Sequence, residues 1–423
     1  MKILAMSRYQ ARFFHIWKNS PTSVVNNLQY VFELSGNLDI QALKKSCSLV
    51  LSQNEIFHAR FDISGEMCFY GDYQIDSIFK IINRPDNHQH ELDHTLYYPL
   101  NLCEDPLLQF YLIQHSTENN VYFFIIKSHH IVIDGGCARN ITRFISDTYN
   151  SFITNSELPA NFSSYTEYIT TEQSLQSNFD PEDSKLFWKD FANGTPLFVK
   201  LPNKTTPHRK LHPMEQIFFT IEKYTVKALK SIAVGYNSTV FVVIAALYGK
   251  LLSAVSHQKK FMVTYPVNMR PKTCMTTAGS FINNIFFKFD FTCNPSLGEL
   301  ITNLEQQRSE TLKHKNMLFM DILELLNREE NDYINTGIVQ GNINIEPLDL
   351  IHVKSVPQPT FTKSLSYQMR LVYDQLLQHE QITFRLDYAS DEIDLELAEE
   401  FMGKFHKSLL EIQNIHYHNS AKY

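Results

Sequence analysis

Apolar and polar positions along this chain fall into alternating strand and helix patterns almost from end to end. Residues 6–17 have the spacing of a short aromatic and basic helix, and 27–34 read as a strand. Asp39, just after the turn residues Gly36, Asn37 and Leu38, is placed to cap a helix over 40–51. Two short runs, 57–63 and 67–70, flank Ser64-Gly65-Glu66 and predict a hairpin. Residues 107–114 and 121–126 read as strands paired across a polar turn. The second is continuously apolar, the pattern of a strand covered on both faces, and Lys127 and Ser128 are expected to end it. Asp134-Gly135-Gly136 then supplies turn chemistry before an amphipathic helix over 138–149.

Between 151 and 185 the composition shifts to Ser, Thr, Asn, Glu and Gln, with helices expected at 165–176 and 183–191. The segment 196–213 holds four prolines and several basic residues and reads as an exposed connection. A similar order of elements follows: a strand at 216–221, helices at 225–234 and 239–252, strands at 260–267 and 285–291, and a helix at 296–313. Strands near 338–345, 366–373 and 381–388 precede a closing helix at 394–412. The sum is an α/β protein of two parts, 1–175 and 176–423, each a mixed sheet with helices. No self-similarity of sequence accompanies the repeat, so it is one of architecture.

Composition narrows the function. A 423-residue chain that is 43% hydrophobic and 20% charged can bury large cores. Its net charge of −7, with no Lys/Arg stripe, argues against nucleic acid as a partner. The longest apolar stretch, 240–248, is broken by Gly249 and Lys250, far short of the roughly 20 residues a membrane helix needs. The first residues lack a signal-peptide pattern, and six scattered cysteines without a C-x-x-C pair fit reduced thiols. A cytoplasmic monomer is expected. Cys137 reads as a small apolar helix residue rather than a nucleophile. His88, His90 and His94 lie in a polar segment, 81–98, with no Cys or carboxylate set to complete a metal geometry, so no metal site is expected.

Chemistry concentrates at His129-His130-Ile131-Val132-Ile133-Asp134-Gly135, between the apolar strand and the helix. An imidazole near its ordinary pKa of ~6.5 can take a proton from an attacking amine or hydroxyl. Adjacent residues of an extended chain point to opposite faces, so one of the two histidines is expected to act and the other to pack. Asp134 can be a third catalytic group or can hold the loop. No Gly-rich phosphate loop, G-x-S-x-G elbow or dinucleotide fingerprint is present, which sets aside ATP hydrolysis, serine hydrolysis and hydride transfer.

These residues match in full the His-His-x-x-x-Asp-Gly motif, and the chain resembles the condensation domains of nonribosomal peptide synthetases along its whole length. Ser7, Gln10 and Arg12 match the family's S-x-A-Q-x-R-L-W motif, from which Tyr9 and Phe13 depart. Glu55 and Phe61 keep parts of R-H-E-x-L-R-T-x-F, while Gln53, Asn54 and His58 replace its basic positions. Arg270 stands where the family has a recurrent arginine, and residues 279–284 resemble G-x-F-V-N-T. His314 and Phe319 retain a trace of H-Q-D-Y-P-F, and R-D-x-S-R-N-P-L is not recognisable. Residues 57–66 and 344–348 resemble instead the free-standing amide synthase of vibriobactin assembly.

The resemblance implies two chloramphenicol-acetyltransferase-like subdomains in a V-shaped pseudo-dimer with the active site at their junction. It implies amide formation between an acyl or aminoacyl thioester and an amine, free or carrier-bound. No bound cofactor is implied, since the acyl group arrives on the phosphopantetheine arm of an acyl, aryl or peptidyl carrier protein acting in trans. Carried over, His130 is the catalytic imidazole, by proton transfer or by positioning. His129 and Asp134 support the loop, Asp134 pairing with Arg270 across the junction, and Gly135 keeps a tunnel open. Asn344 is a candidate contact to the acceptor. The competing expectations are a CoA-dependent or ester-forming acyltransferase on the same scaffold, and a non-catalytic module that recruits carrier proteins.

Overall fold

The apolar run after residue 120 becomes the Val121–His129 strand, third of five in a sheet of the computed structural model. That structure describes residues 2–69, 74–83, 87–115, 117–175, 180–202, 212–326, 335–341, 346–358, 364–376 and 380–420. In sheet order the five strands are Val353–Gln358, Asn27–Gly36, Val121–His129, Leu108–Gln114 and Phe79–Ile82. All neighbours run antiparallel except the last pair, which is parallel. One face carries Phe32, Leu34, Phe110, Leu112, Phe124 and Ile126 into a core shared with the Ile40–Ser52 and Gly135–Thr154 helices. The other face packs Val31, Tyr111, Ile113, Phe123 and Ile125 against Leu92 of the His88–Tyr97 helix. Covering on both faces is what the unbroken apolar pattern predicts.

Lys127 does not end the strand. It lies wholly buried within it. Its ammonium donates to the carbonyls of Thr95 and Tyr98, each at 2.6 Å, at the C-terminal end of the His88–Tyr97 helix. Gln29 and Asn27, from the neighbouring strand, donate to Leu96 and Tyr98 at 3.0 and 3.1 Å. Three side chains thus satisfy carbonyls that a helix end leaves bare. Burial pushes the Lys127 pKa down to about 8, and the helix end keeps the charge tolerable. His88, His90 and His94 belong to that same helix, where the His88 ring packs 4.2 Å from His115.

Two compact units divide the chain, and the division is not a single cut near 175. The first comprises Met1–Phe179, Met269–Ile282 and Asn344–Thr362, and the second Asp180–Asn268, Asn283–Ile343 and Lys363–Tyr423. The Val353–Gln358 strand, which the sequence pattern does not announce, therefore completes the edge of the first sheet from far along the chain. A small sheet of Lys2–Ala5, Glu66–Phe69 and Ala59–Phe61 also belongs to the first unit, and its last two strands are the expected hairpin.

The second unit is built on seven strands in the order Ile282–Asp290, Lys260–Asn268, Thr336–Gln340, Met369–Leu376, Gln381–Ala389, His212–Ile221 and Ser364–Leu365. Its helices include Lys223–Gly235, Val240–Ser256, Leu297–Lys313 and Leu395–Ser420. The start of the expected exposed connection is buried, with Leu197 and Val199 each 1% exposed, and 203–211 lie outside the described residues. Among the described residues no single helix is long and apolar enough to cross a membrane.

Candidate active site

The loop after the central strand is built entirely within the first unit. The His129 N–H donates to the Leu107 carbonyl at 3.1 Å and the His130 N–H to that of Asn26 at 2.7 Å. Chain segments on both sides of Val121–His129 therefore hold the two histidine backbones. A turn follows, closed by a hydrogen bond from Val132 N–H to the His129 carbonyl at 3.0 Å. Ile131, Val132 and Ile133 are each 0% exposed and root the loop in the core. The apolar middle of the motif is thus an anchor.

The two imidazoles have different fates. His129 is buried, and its Nδ1 accepts from Ile131 N–H at 3.2 Å, so that nitrogen carries no proton. Burial, reinforced by neighbouring His130, pushes its pKa down to about 3. His130 is half-buried and stacks on Phe13, with ring centroids 4.5 Å apart and planes at 16°. Its Nδ1 is buried without a well-aligned hydrogen-bond partner. Burial lowers the His130 pKa; nearby carbonyls of His130 and Ile133 and the Asp134 carboxylate oppose this, while Arg12 adds to it. A neutral ring able to accept a proton is the result.

The His129 arrangement has a consequence for stability. Its folded pKa of about 3 lies below the ordinary 6.5, so between these values the unfolded chain binds the extra proton. Stability contributed by this site is present above pH 6.5 and is lost as pH falls toward 3. Urea unfolding from pH 7 down to 4 should show wild type losing roughly 1.4 kcal/mol per pH unit more than His129→Gln over this window. Equal slopes would show that His129 is not held neutral.

Asp134 caps the Gly135–Thr154 helix, its Oδ1 accepting from Cys137 N–H at 2.7 Å. The same carboxylate takes Arg270 Nη2 at 2.9 and 3.0 Å, and Oδ2 accepts from Phe281 N–H at 2.9 Å. Both side chains of the ion pair are nearly inaccessible, at 3% and 4% exposure. Arg270 also donates to the carbonyls of Thr277, Cys274 and Gly279, and its guanidinium lies 4.1 Å from the centroid of the Phe281 ring. Gly279 makes this wrap possible: its φ is +149°, and a Cβ there would come within 2.8 Å of Tyr165. The pair expected between Asp134 and Arg270 is present, but not across a junction. Arg270 sits on the segment Met269–Ile282, which returns to the first unit, so the bridge closes inside that unit.

Gly135 is the first helical residue and its φ lies outside the left-handed region. The close approach falls one residue on, where a Cβ on Gly136 would sit 3.3 Å from Asp134 Oδ1. Cys137 is 0% exposed and burial pushes its thiol up to about 12, which suits an apolar packing residue and not a nucleophile. Asn344 lies outside the described residues. Among the described residues no three His, Cys, Asp or Glu side chains gather as metal ligands.

Three features escape a residue-by-residue reading. Gln10 Nε2 donates to the Ile131 carbonyl at 3.0 Å, while its Oε1 accepts from Ser7 N–H at 2.9 Å, so the first motif supports the histidine loop. Glu55 accepts from Ser164 Oγ at 2.7 Å and from Thr166 N–H, at the start of the Tyr165–Leu175 helix. Phe13 supplies the stacking face for His130. Motif spacing flags the first two positions, and only the departure from the motif flags the third.

Two α/β units, each on its own sheet, and a histidine pair leaving a central strand define an acyltransferase of the chloramphenicol-acetyltransferase-like kind. Residues 1–420 match the Condensation domain family, and the chain belongs to that family, whose members are acyltransferases that form amide bonds in nonribosomal peptide synthesis. It is 23% identical over 337 residues to one of the plipastatin synthases of Bacillus subtilis (strain 168), covering 78% of this chain. The chain spans only 9% of the length of that relative.

Among solved structures, a four-domain nonribosomal peptide synthetase bound to AMP and glycine superposes with a TM-score of 0.84 at 17% identity, over 98% of this chain and 33% of the other. The starter condensation domain of rhizomide synthetase, in a mutant form complexed with C8-CoA, gives 0.84 at 13% identity over 98% and 95%. At such identities these likenesses establish the fold.

Proposed function

We propose that this chain condenses an acyl or aminoacyl group, held as a phosphopantetheine thioester on a carrier protein, with an amine to give an amide. The amine nitrogen attacks the thioester carbonyl, the C–N bond forms, the C–S bond breaks and the carrier thiol leaves. His130 takes the proton the amine loses and returns it to the departing sulfur. Since the thioester already has a good leaving group, positioning two reactants and moving one proton supply the needed acceleration. The observation that carries this reading is the asymmetry of the histidine pair, one ring buried and bonded, the other half-exposed and held neutral. In this reading Gly135 leaves room beside His130 for the carrier arm, and Asn344 is a contact for the acceptor.

The acceptor in this proposal is a small free amine, and the enzyme acts as a free-standing amide synthase served by a carrier protein in trans. Support comes from the residues 57–66 and 344–348, which resemble an enzyme of that kind. His58, in place of a family basic position, is buried, with Nε2 3.0 Å from the Leu51 carbonyl. One observation favours a second reading, in which acyl-CoA is the donor: the rhizomide starter domain was solved with C8-CoA. Intact-mass analysis separates them. Carrier proteins loaded with candidate acyl groups should be discharged when a panel of free amines is added, and the same acyl groups on CoA should be turned over poorly. Efficient turnover of acyl-CoA without carrier would replace the first reading by the second, and discharge only by an aminoacyl-loaded second carrier would remove the free-standing one.

A further inference from the structure

We propose that Phe13 is a positioning residue for His130, its ring fixing the plane of the imidazole for proton transfer. The inference rests on the proposed role of His130. A catalytic imidazole is ordinarily oriented by a hydrogen bond from its second nitrogen to a carboxylate or carbonyl. His130 has no well-aligned bond of that kind at Nδ1, and Asp134, the nearby carboxylate, is engaged with Arg270, Cys137 N–H and Phe281 N–H. Rotation of a histidine ring about its terminal torsion is otherwise broad. The remaining constraint is the flat face of Phe13, nearly parallel at 16° with centroids 4.5 Å apart.

That face is itself held. Phe13 is 6% exposed and packs in the core of the first unit with Phe14 and Trp17 of its own helix, Arg8–Asn19. Gln10, one helical turn earlier and on the same side, bonds the carbonyl of Ile131, the residue after His130. Helix and histidine loop are therefore locked at two points, Gln10 through a hydrogen bond and Phe13 through stacking. The family motif has leucine at this position, which fills space but offers no plane. This chain has an aromatic platform in its place, in direct contact with the reactive ring.

Replacement by leucine or methionine keeps apolar bulk and removes the plane, whereas tyrosine keeps it. Phe13→Leu and Phe13→Met should lower kcat for amide formation by roughly 3- to 10-fold, the value of a lost aromatic pair, with KM near that of wild type. Phe13→Tyr should restore kcat. In NMR spectra the ring protons of His130 should move downfield in the leucine variant, as the ring current of Phe13 is removed, and stay close to wild type in the tyrosine variant. Wild-type kcat in a folded leucine or methionine variant, or unmoved His130 signals, would overturn the proposal. A fully active His130→Ala control would instead overturn the reading of His130 on which it rests.

Discussion

Replacing Asp134 by alanine should lower the free energy of unfolding by about 3–5 kcal/mol, the range for breaking a buried ion pair from one side. The carboxylate does three jobs at once. It caps the Gly135–Thr154 helix through Cys137 N–H, meets the Arg270 guanidinium, and receives Phe281 N–H. Alanine leaves a guanidinium of 3% exposure without its counter-charge and an amide without its acceptor. Asp134→Asn keeps the capping oxygen but not the charge and should fall between wild type and alanine. Combining Asp134→Ala with Arg270→Met removes the stranded charge and should recover part of the loss. Urea unfolding of the four proteins decides the matter: an alanine variant as stable as wild type would mean that the bridge does not hold this loop.

The second large effect is on rate. His130→Ala should reduce kcat/KM for amide formation by about 10²–10⁴, the usual contribution of a positioned acid–base group. The residue is half-buried and its Nδ1 makes no well-aligned hydrogen bond to a neighbouring element, so its loss should leave the melting transition nearly in place. His129→Ala should behave in the opposite sense, since the His129 ring accepts the Ile131 N–H inside the core and its removal strands that donor. Steady-state kinetics and melting curves on the two variants separate chemistry from scaffolding within one pair of adjacent residues.

Much of this architecture is written in local pattern. The apolar run at 121–126, the cap at Asp39 and the amphipathic spacing at 138–149 each appear as elements where periodicity places them, because burial of one stripe or face dictates them. What local pattern misses depends on partners distant in sequence. Lys127 looks like the end of a strand, yet the carbonyls of Thr95 and Tyr98 make its burial tolerable. The Val353–Gln358 strand is half-exposed and contains Pro357, an edge residue, so it carries no clear alternation. Arg270 is recognisable by its place in the family pattern, but its unit depends on how the chain crosses over, which no single segment encodes. For the candidate site, the motif brings the right residues to notice. The division of labour between His129 and His130 follows from burial and bonding, and the stacking of Phe13 from a long-range contact.

The most direct test of the central claim is single-turnover discharge of an acyl-loaded carrier protein, followed by intact mass with and without amine, for wild type and His130→Ala. Wild type should free the carrier thiol rapidly only when amine is present, with amide appearing in equal amount, while a folded His130→Ala stays loaded over the same interval. Equal discharge by the two proteins would contradict the account.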